Sequence, residues 1–99
     1  MPGIVYLNGD FVAAEEAKVS VFDRGFLFAD GIYEVIPVFQ GKTFGLDGHL
    51  VRLDQSLEAI GIKPFKTVEQ WSELFARLIN ENGGGNLALY VQITRGVQA

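Results

Sequence analysis

Asp23-Arg24-Gly25-Phe26-Leu27-Phe28-Ala29-Asp30-Gly31-Ile32-Tyr33-Glu34-Val35-Ile36-Pro37-Val38-Phe39 is the stretch on which the fold turns. Its first part reads as a polar, glycine-bearing turn, Asp23-Arg24-Gly25 and then Ala29-Asp30-Gly31. Its second part, residues 31–39, is rich in β-branched and aromatic side chains and reads as a strand. Period-2 alternation puts Tyr33, Val35, Pro37 and Phe39 on one face and Ile32, Glu34, Ile36 and Val38 on the other. Glu34 is then an acid among apolar neighbours, and it needs a partner if that face is buried. Pro37 removes a ladder donor, which puts the strand at a sheet edge or bulges it near its end. A charged loop feeding such a strand is a common way to hold side chains beside a ligand, although Gly and Asp also punctuate ordinary turns.

Working outward, Ile4-Val5-Tyr6-Leu7, Asn8-Gly9 and Asp10-Phe11-Val12-Ala13 form a hairpin signal, because Asn-Gly suits the two positive-φ positions of a type I′ turn. Residues 14–18 make a short acidic linker, and 19–22 read as a brief extended piece. After the central strand, Gln40-Gly41-Lys42 turns the chain and Thr43-Phe44 returns as a short strand. Leu46, Leu50, Leu53, Leu57 and Ile60 recur at spacings of four and three, a helical stripe with Asp47 as N-cap or first-turn acid and Gly61 as C-cap. His49, Arg52 and Ser56 share one flank of that helix; Asp54 and Glu58 share the other. A second helix begins at Thr67, where Gln70 completes a capping box, and buries Val68, Trp71, Leu74, Phe75, Leu78 and Ile79. Asn82-Gly83 ends it. Gly83-Gly84-Gly85 lies between a helix and a strand, the wrong order for a phosphate-cradling loop, and is a flexible piece or a turn. Residues 87–94 alternate as a half-buried strand. The order predicts an α+β domain: a mostly antiparallel sheet covered by two helices. A glycine turn within 94–99, directly after a well-formed strand, looks like a chain cut in mid-course.

The 99 residues make one domain at most, and a chain this short buries only about two-thirds of its unfolded surface. With 48% hydrophobic residues and a mean hydropathy of +0.21, part of its apolar surface is expected to face another domain or subunit. A net charge of −4 without a Lys/Arg cluster argues against nucleic acid or an anionic membrane as partner. The absence of cysteine excludes disulfides and thiolate metal sites. With no apolar run of membrane length and no basic leader, the chain reads as cytoplasmic.

The chemistry open to these residues is narrow. No nucleophile–base pair assembles, since the only His lies on a helix beside Arg52, and no ligand spacing supports a metal. By residue type alone, His49 is a packing or hydrogen-bonding residue, and Arg52 a surface charge or a stem over apolar surface. What remains is recognition of an anion: Arg52 offers a planar fork to a phosphate or carboxylate, and Tyr33 a hydroxyl.

The run from Asp23 to Val35, then Gly48-His49-Leu50-Val51-Arg52-Leu53, then Tyr90-Val91-Gln92-Ile93-Thr94-Arg95-Gly96, resembles the N-terminal domain of class IV aminotransferases, the fold type IV pyridoxal-phosphate enzymes. The wording of 30–35 is most similar to the D-amino acid aminotransferases. The resemblance implies amino-group transfer from an amino acid, D-alanine for example, to a 2-oxo acid with pyridoxal 5′-phosphate as cofactor. It assigns the cofactor phosphate to Arg52, with His49 one turn back in the same motif, and the substrate side of the pocket to Tyr33 and Val35. It implies a homodimer and a C-terminal domain, outside residues 1–99, carrying the lysine that binds the cofactor covalently. Lys18, Lys42, Lys63 and Lys66 match no such motif, and none has a pocket-like setting that would lower an amine's pKa. Arg95, within the Thr-Arg-Gly turn, is not assigned to the substrate carboxylate. The neighbouring readings are a branched-chain aminotransferase or an aminodeoxychorismate lyase on the same fold, and a non-enzymatic interaction domain.

Overall fold

The computed structural model of the chain describes residues 3–97. Its first elements are β1 (Ile4–Leu7) and β2 (Asp10–Ala13), an antiparallel hairpin with Asn8 at φ 50° and Gly9 at φ 96°, both positive as a type I′ turn requires. The hairpin forms a two-stranded sheet of its own rather than joining the main one. Asn82, at the end of a helix far along the chain, fastens it there. Its side-chain oxygen accepts from the Ile4 N–H at 3.0 Å and its amide donates to the Ile4 carbonyl at 2.9 Å, so it pairs with β1 as another strand would.

The segment after the hairpin departs from expectation. Residues Ala14–Glu16 make one 3₁₀ turn, and 19–22 form no strand, because Ser20 turns the chain by accepting from Phe22 and Asp23. The expected polar turn at 23–25 is the start of a third helix, α1 (Arg24–Phe28). Asp23 caps it by accepting from the Gly25 N–H at 2.8 Å, and Ala29, in the left-handed region, ends it. Gly25 and Gly31 serve close approach rather than turn geometry. A Cβ on Gly25 would stand 2.3 Å from Thr94 Cγ2, and one on Gly31 2.6 Å from the Ile93 carbonyl oxygen.

The main sheet has the order β4-β3-β5, with β3 (Gly31–Phe39) in the middle, β4 (Lys42–Thr43) beside its end and β5 (Leu87–Thr94) along its length. All pairings are antiparallel, and the β3–β5 register runs unbroken from Gly31 opposite Thr94 to Val38 opposite Leu87. Pro37 therefore sits neither in an edge strand nor at a bulge. Its carbonyl accepts from Phe44 at 2.8 Å, so its donorless nitrogen faces the same flank, where the reciprocal bond to Phe44 is left unmade and β4 has ended.

Two helices, α2 (Leu46–Ala59) and α3 (Val68–Glu81), cover one face of this sheet. Their stripes meet Ile36, Val38 and Leu89 in one core built from Leu50, Leu53, Leu57, Trp71, Phe75 and Ile79. Val68, counted into the α3 stripe by spacing, sits at the first helical position and is exposed instead. The Thr67–Gln70 capping box is present in full. Both helices end in the paired six-to-one and five-to-two hydrogen bonds of a Schellman turn, with Gly61 and Gly83 at the positive-φ position; the bonds run from Ile62 to Leu57 and from Gly84 to Ile79. Gly83, Gly84 and Gly85 form a turn of three positive-φ residues. The chain end anticipated at 94–99 reaches beyond the description at residues 98 and 99; within it, Val97 bridges back to Asp23.

The opposite face of the sheet is uncovered. Tyr33, Val35, Phe39 and Tyr90 all lie exposed there, and Tyr33 stacks on Tyr90 with ring centroids 5.7 Å apart. Phe22, Phe26 and Phe28 add exposed aromatic surface on and before α1.

Candidate functional site

The alternation of β3 aims Glu34 into the face covered by α2, where its side chain keeps only 6% exposure. The three-residue spacing of His49 and Arg52 brings both over that carboxylate. Arg52 grips it from the side: Nε donates to Oε2 at 2.7 Å and Nη2 to Oε1 at 2.9 Å. His49 Nδ1 lies 2.8 Å from Oε1. Facing a carboxylate, Nδ1 must carry the proton and donate, so the 3.4 Å approach of Arg52 Nη2 to the same nitrogen is a contact between two donors and not a bond.

The electrostatics follow from this geometry. The hydrogen bonds from Arg52 hold the Glu34 carboxyl below its ordinary pKa against the opposing effect of burial, with His49 helping. Glu34 in turn raises the Arg52 pKa. The carboxylate is ionised and fully partnered, which is the condition on which a charge tolerates burial.

Arg52 also looks outward. Its side chain is 64% exposed, and with His49, Gly45 and Gly48 it lines an open concavity of about 270 Å³ at the first turn of α2. Two walls of that hollow lack a Cβ, and the unpaired N–H groups of a helix's first turn favour an anion. A phosphate fits such a donor set.

Of the four residues singled out in the sequence, His49 and Arg52 are brought together. Tyr33 and Val35 are also together, but on the uncovered sheet face, the other side of β3 from the ion pair. The four therefore flank one strand and do not line one cavity. Glu34 is the member sequence reasoning left without a role; the signal was there, in one acid on the apolar face of β3 and two bases on one flank of α2.

A second cluster was not foreseen. Asp30 Oδ2 takes Nε of both Arg24 and Arg95 at 2.8 Å, and Arg95 also donates to the Ile60 carbonyl. The hydrogen bond from Arg95 and then that from Arg24 lower the Asp30 pKa. This knot joins α1, the start of β3, the end of β5 and the end of α2. The lysines stand apart from both clusters. Lys66 lines an open groove with Tyr6, Phe11 and Gln70, its Nζ 5.8 Å from the Tyr6 ring centroid and 5.7 Å from that of Trp71. Among the described residues, no helix is long and apolar enough to cross a membrane.

Comparison with known proteins bears on the whole arrangement. The family described as "Amino-transferase class IV" matches residues 31–99. The chain is 47% identical over 92 residues to a D-alanine aminotransferase of Staphylococcus epidermidis, a match that covers 93% of this chain and 33% of that protein. Among solved structures it is similar to a branched-chain aminotransferase of Thermoproteus uzoniensis determined with norvaline, with a TM-score of 0.82 at 28% identity, over 95% of this chain and 33% of the other. The branched-chain amino acid aminotransferase of Escherichia coli shares the fold at a TM-score of 0.88 and 20% identity, over 97% of this chain and 33% of the other. The chain thus spans about a third of the length of the relatives it matches.

Proposed function

Because this chain belongs to the class IV aminotransferases, we propose that it contributes residues from both faces of β3 to a pyridoxal-phosphate site in an enzyme that moves an amino group from a D-amino acid, such as D-alanine, to a 2-oxo acid. The observation that carries the reading is Arg52, anchored at its inner edge and presented at a glycine-walled hollow that suits a phosphate. The names of the relatives support the substrate class.

Pyridoxal phosphate supplies, when bound, the electron sink that lets nitrogen pass between two carbon skeletons. The residues of this chain bind and orient. Arg52 holds the phosphate, and His49 steadies the turn of α2 that carries it. Tyr33 presents a hydroxyl to the substrate carboxylate from the open face of β3, and Val35 walls the same side with apolar surface that excludes water. The cofactor-binding lysine is expected from the remaining two-thirds of the length of the relatives, as a second domain against the uncovered face of the sheet. The reading extends to a cytoplasmic homodimer, with the exposed aromatics of α1 among the surfaces available for contact.

The test is turnover by the protein at the full length of its relatives. With D-alanine and 2-oxoglutarate it should form pyruvate; activity confined to L-leucine would favour a branched-chain enzyme, and release of p-aminobenzoate from aminodeoxychorismate a lyase. No turnover and no pyridoxal-phosphate binding would leave a non-enzymatic domain.

A further inference from the structure

We propose that Glu34 is a positioning residue for anion binding: it occupies the Nε/Nη2 edge of Arg52 and so aims the Nη1/Nη2 edge at the phosphate. The inference rests on the phosphate reading of Arg52 given above and adds the device that makes the arginine selective.

A guanidinium carries five N–H donors arranged along its edges. Glu34 takes two of them, one on Nε and one on Nη2. The three that remain are the pair on Nη1 and the second hydrogen of Nη2. One hydrogen of Nη1 and the second of Nη2 form the end-on edge, a second fork whose spacing matches two oxygens of a phosphate. Among the described residues Arg52 makes no other hydrogen bond, and its side chain lines the hollow together with Gly45 and Gly48.

Glu34 retains 6% exposure and Arg52 64%, so the pair spans the boundary between core and solvent. His49 Nδ1, donating to Oε1, holds the carboxylate from a second direction. His49 therefore acts on the phosphate site through Glu34, one step behind Arg52. A stability role alone explains the arrangement poorly, because apolar side chains of similar volume commonly replace a buried ion pair without loss. A long arginine at a helix surface samples many rotamers; two charge-assisted bonds to a rigid strand select one.

The experiment compares pyridoxal phosphate with pyridoxal, which lacks the phosphate, as ligands of the full-length apoprotein, with affinities read by absorbance and fluorescence. Glu34→Gln should weaken pyridoxal phosphate by about tenfold, the scale of one charge-assisted hydrogen bond, while pyridoxal changes by less than about twofold. Arg52→Ala should weaken the phosphate ligand at least as much, and adding Glu34→Gln to Arg52→Ala should cost nothing further. Equal losses for both ligands, or additive losses in the double variant, would overturn the proposal. Unchanged affinity in Arg52→Ala alone would overturn the phosphate reading, and this inference with it. Should Glu34→Gln fail to fold, the Arg52 Nε–H resonance of the wild-type protein decides. It should be shifted and slow to exchange both before and after pyridoxal phosphate binds; its loss on binding would mean that the cofactor displaces Glu34 instead of sharing the arginine with it.

Discussion

Replacing Gly25 by alanine separates a turn glycine from a packing glycine. Helix propensity alone favours the change by up to about 1 kcal/mol, since Gly25 lies inside α1. Space opposes it. The new methyl would stand 2.3 Å from Thr94 Cγ2, 3.0 Å from Thr94 Cβ and 3.1 Å from Asp23 Oδ1, against an optimum of about 3.5–4.0 Å between carbons. Either α1 or β5 must move by roughly 1 Å. Neither is free to do so, because Thr94 is in register with Gly31 and the Arg24 N–H is bonded to Gly96 at 2.7 Å. Overpacking of this kind costs about 1–3 kcal/mol, and disturbing the Asp23 cap adds about 1 kcal/mol. The clash outweighs the propensity gain, and Gly25→Ala should destabilise by about 1–3 kcal/mol. Urea unfolding followed by Trp71 fluorescence measures it. Thr94→Ser removes the offending methyl while keeping the hydroxyl that accepts from Gly96, so it should restore most of the loss in the Gly25→Ala background. A neutral or stabilising Gly25→Ala, or no coupling to Thr94, would refute the packing argument.

Asn82→Ala should release the hairpin from α3, because it removes all three bonds the side chain makes to Ile4 and Leu78; hydrogen exchange should rise selectively over 4–13, with a stability loss of about 1–3 kcal/mol. Glu34 gives a signed acid dependence. Its folded pKa lies below the unfolded value of about 4.3, so its contribution is complete above that value and lost as pH falls through the folded one. Glu34→Gln should therefore lower stability at pH 7 and flatten the acid limb of the stability profile, as read by unfolding across pH 2–7; an unchanged acid limb would count against the ion pair. Leu53→Ala should cost about 2–5 kcal/mol, since Leu53 is 1% exposed between α2 and the sheet, and thermal melting would show it.

What could be read in the residues was local. The bounds of β3 follow from alternation, the start of α3 from the Thr67–Gln70 pair, and the first turn from Asn8-Gly9, and each is decided within a few positions of its own sequence. What could not be read depends on distant partners. Arg24–Phe28 is too short to show a helical period, and Gly25 and Gly31 carry a meaning that appears only with Thr94 and Ile93 beside them. The hairpin's separation from the main sheet depends on Asn82, nearly eighty positions away. Arg52 could be read as a residue suited to an anion and His49 as a hydrogen-bonding residue one turn back, but the third member, Glu34, lies on another element. Only the register of β3 against α2 shows that it and not solvent meets the arginine's inner edge. The alternation of β3 puts Tyr33 and Val35 on the other side of the strand from that arginine, so the four residues flank it on two faces.

On the proposed reading, Arg52 holds the cofactor phosphate. Phosphorus NMR of pyridoxal phosphate bound to the full-length protein tests it most directly, comparing the native protein with Arg52→Lys, which keeps the charge and loses the fork. The phosphate resonance should be displaced and broadened in the variant, together with weaker binding. An identical resonance at unchanged affinity would place the phosphate elsewhere and contradict it.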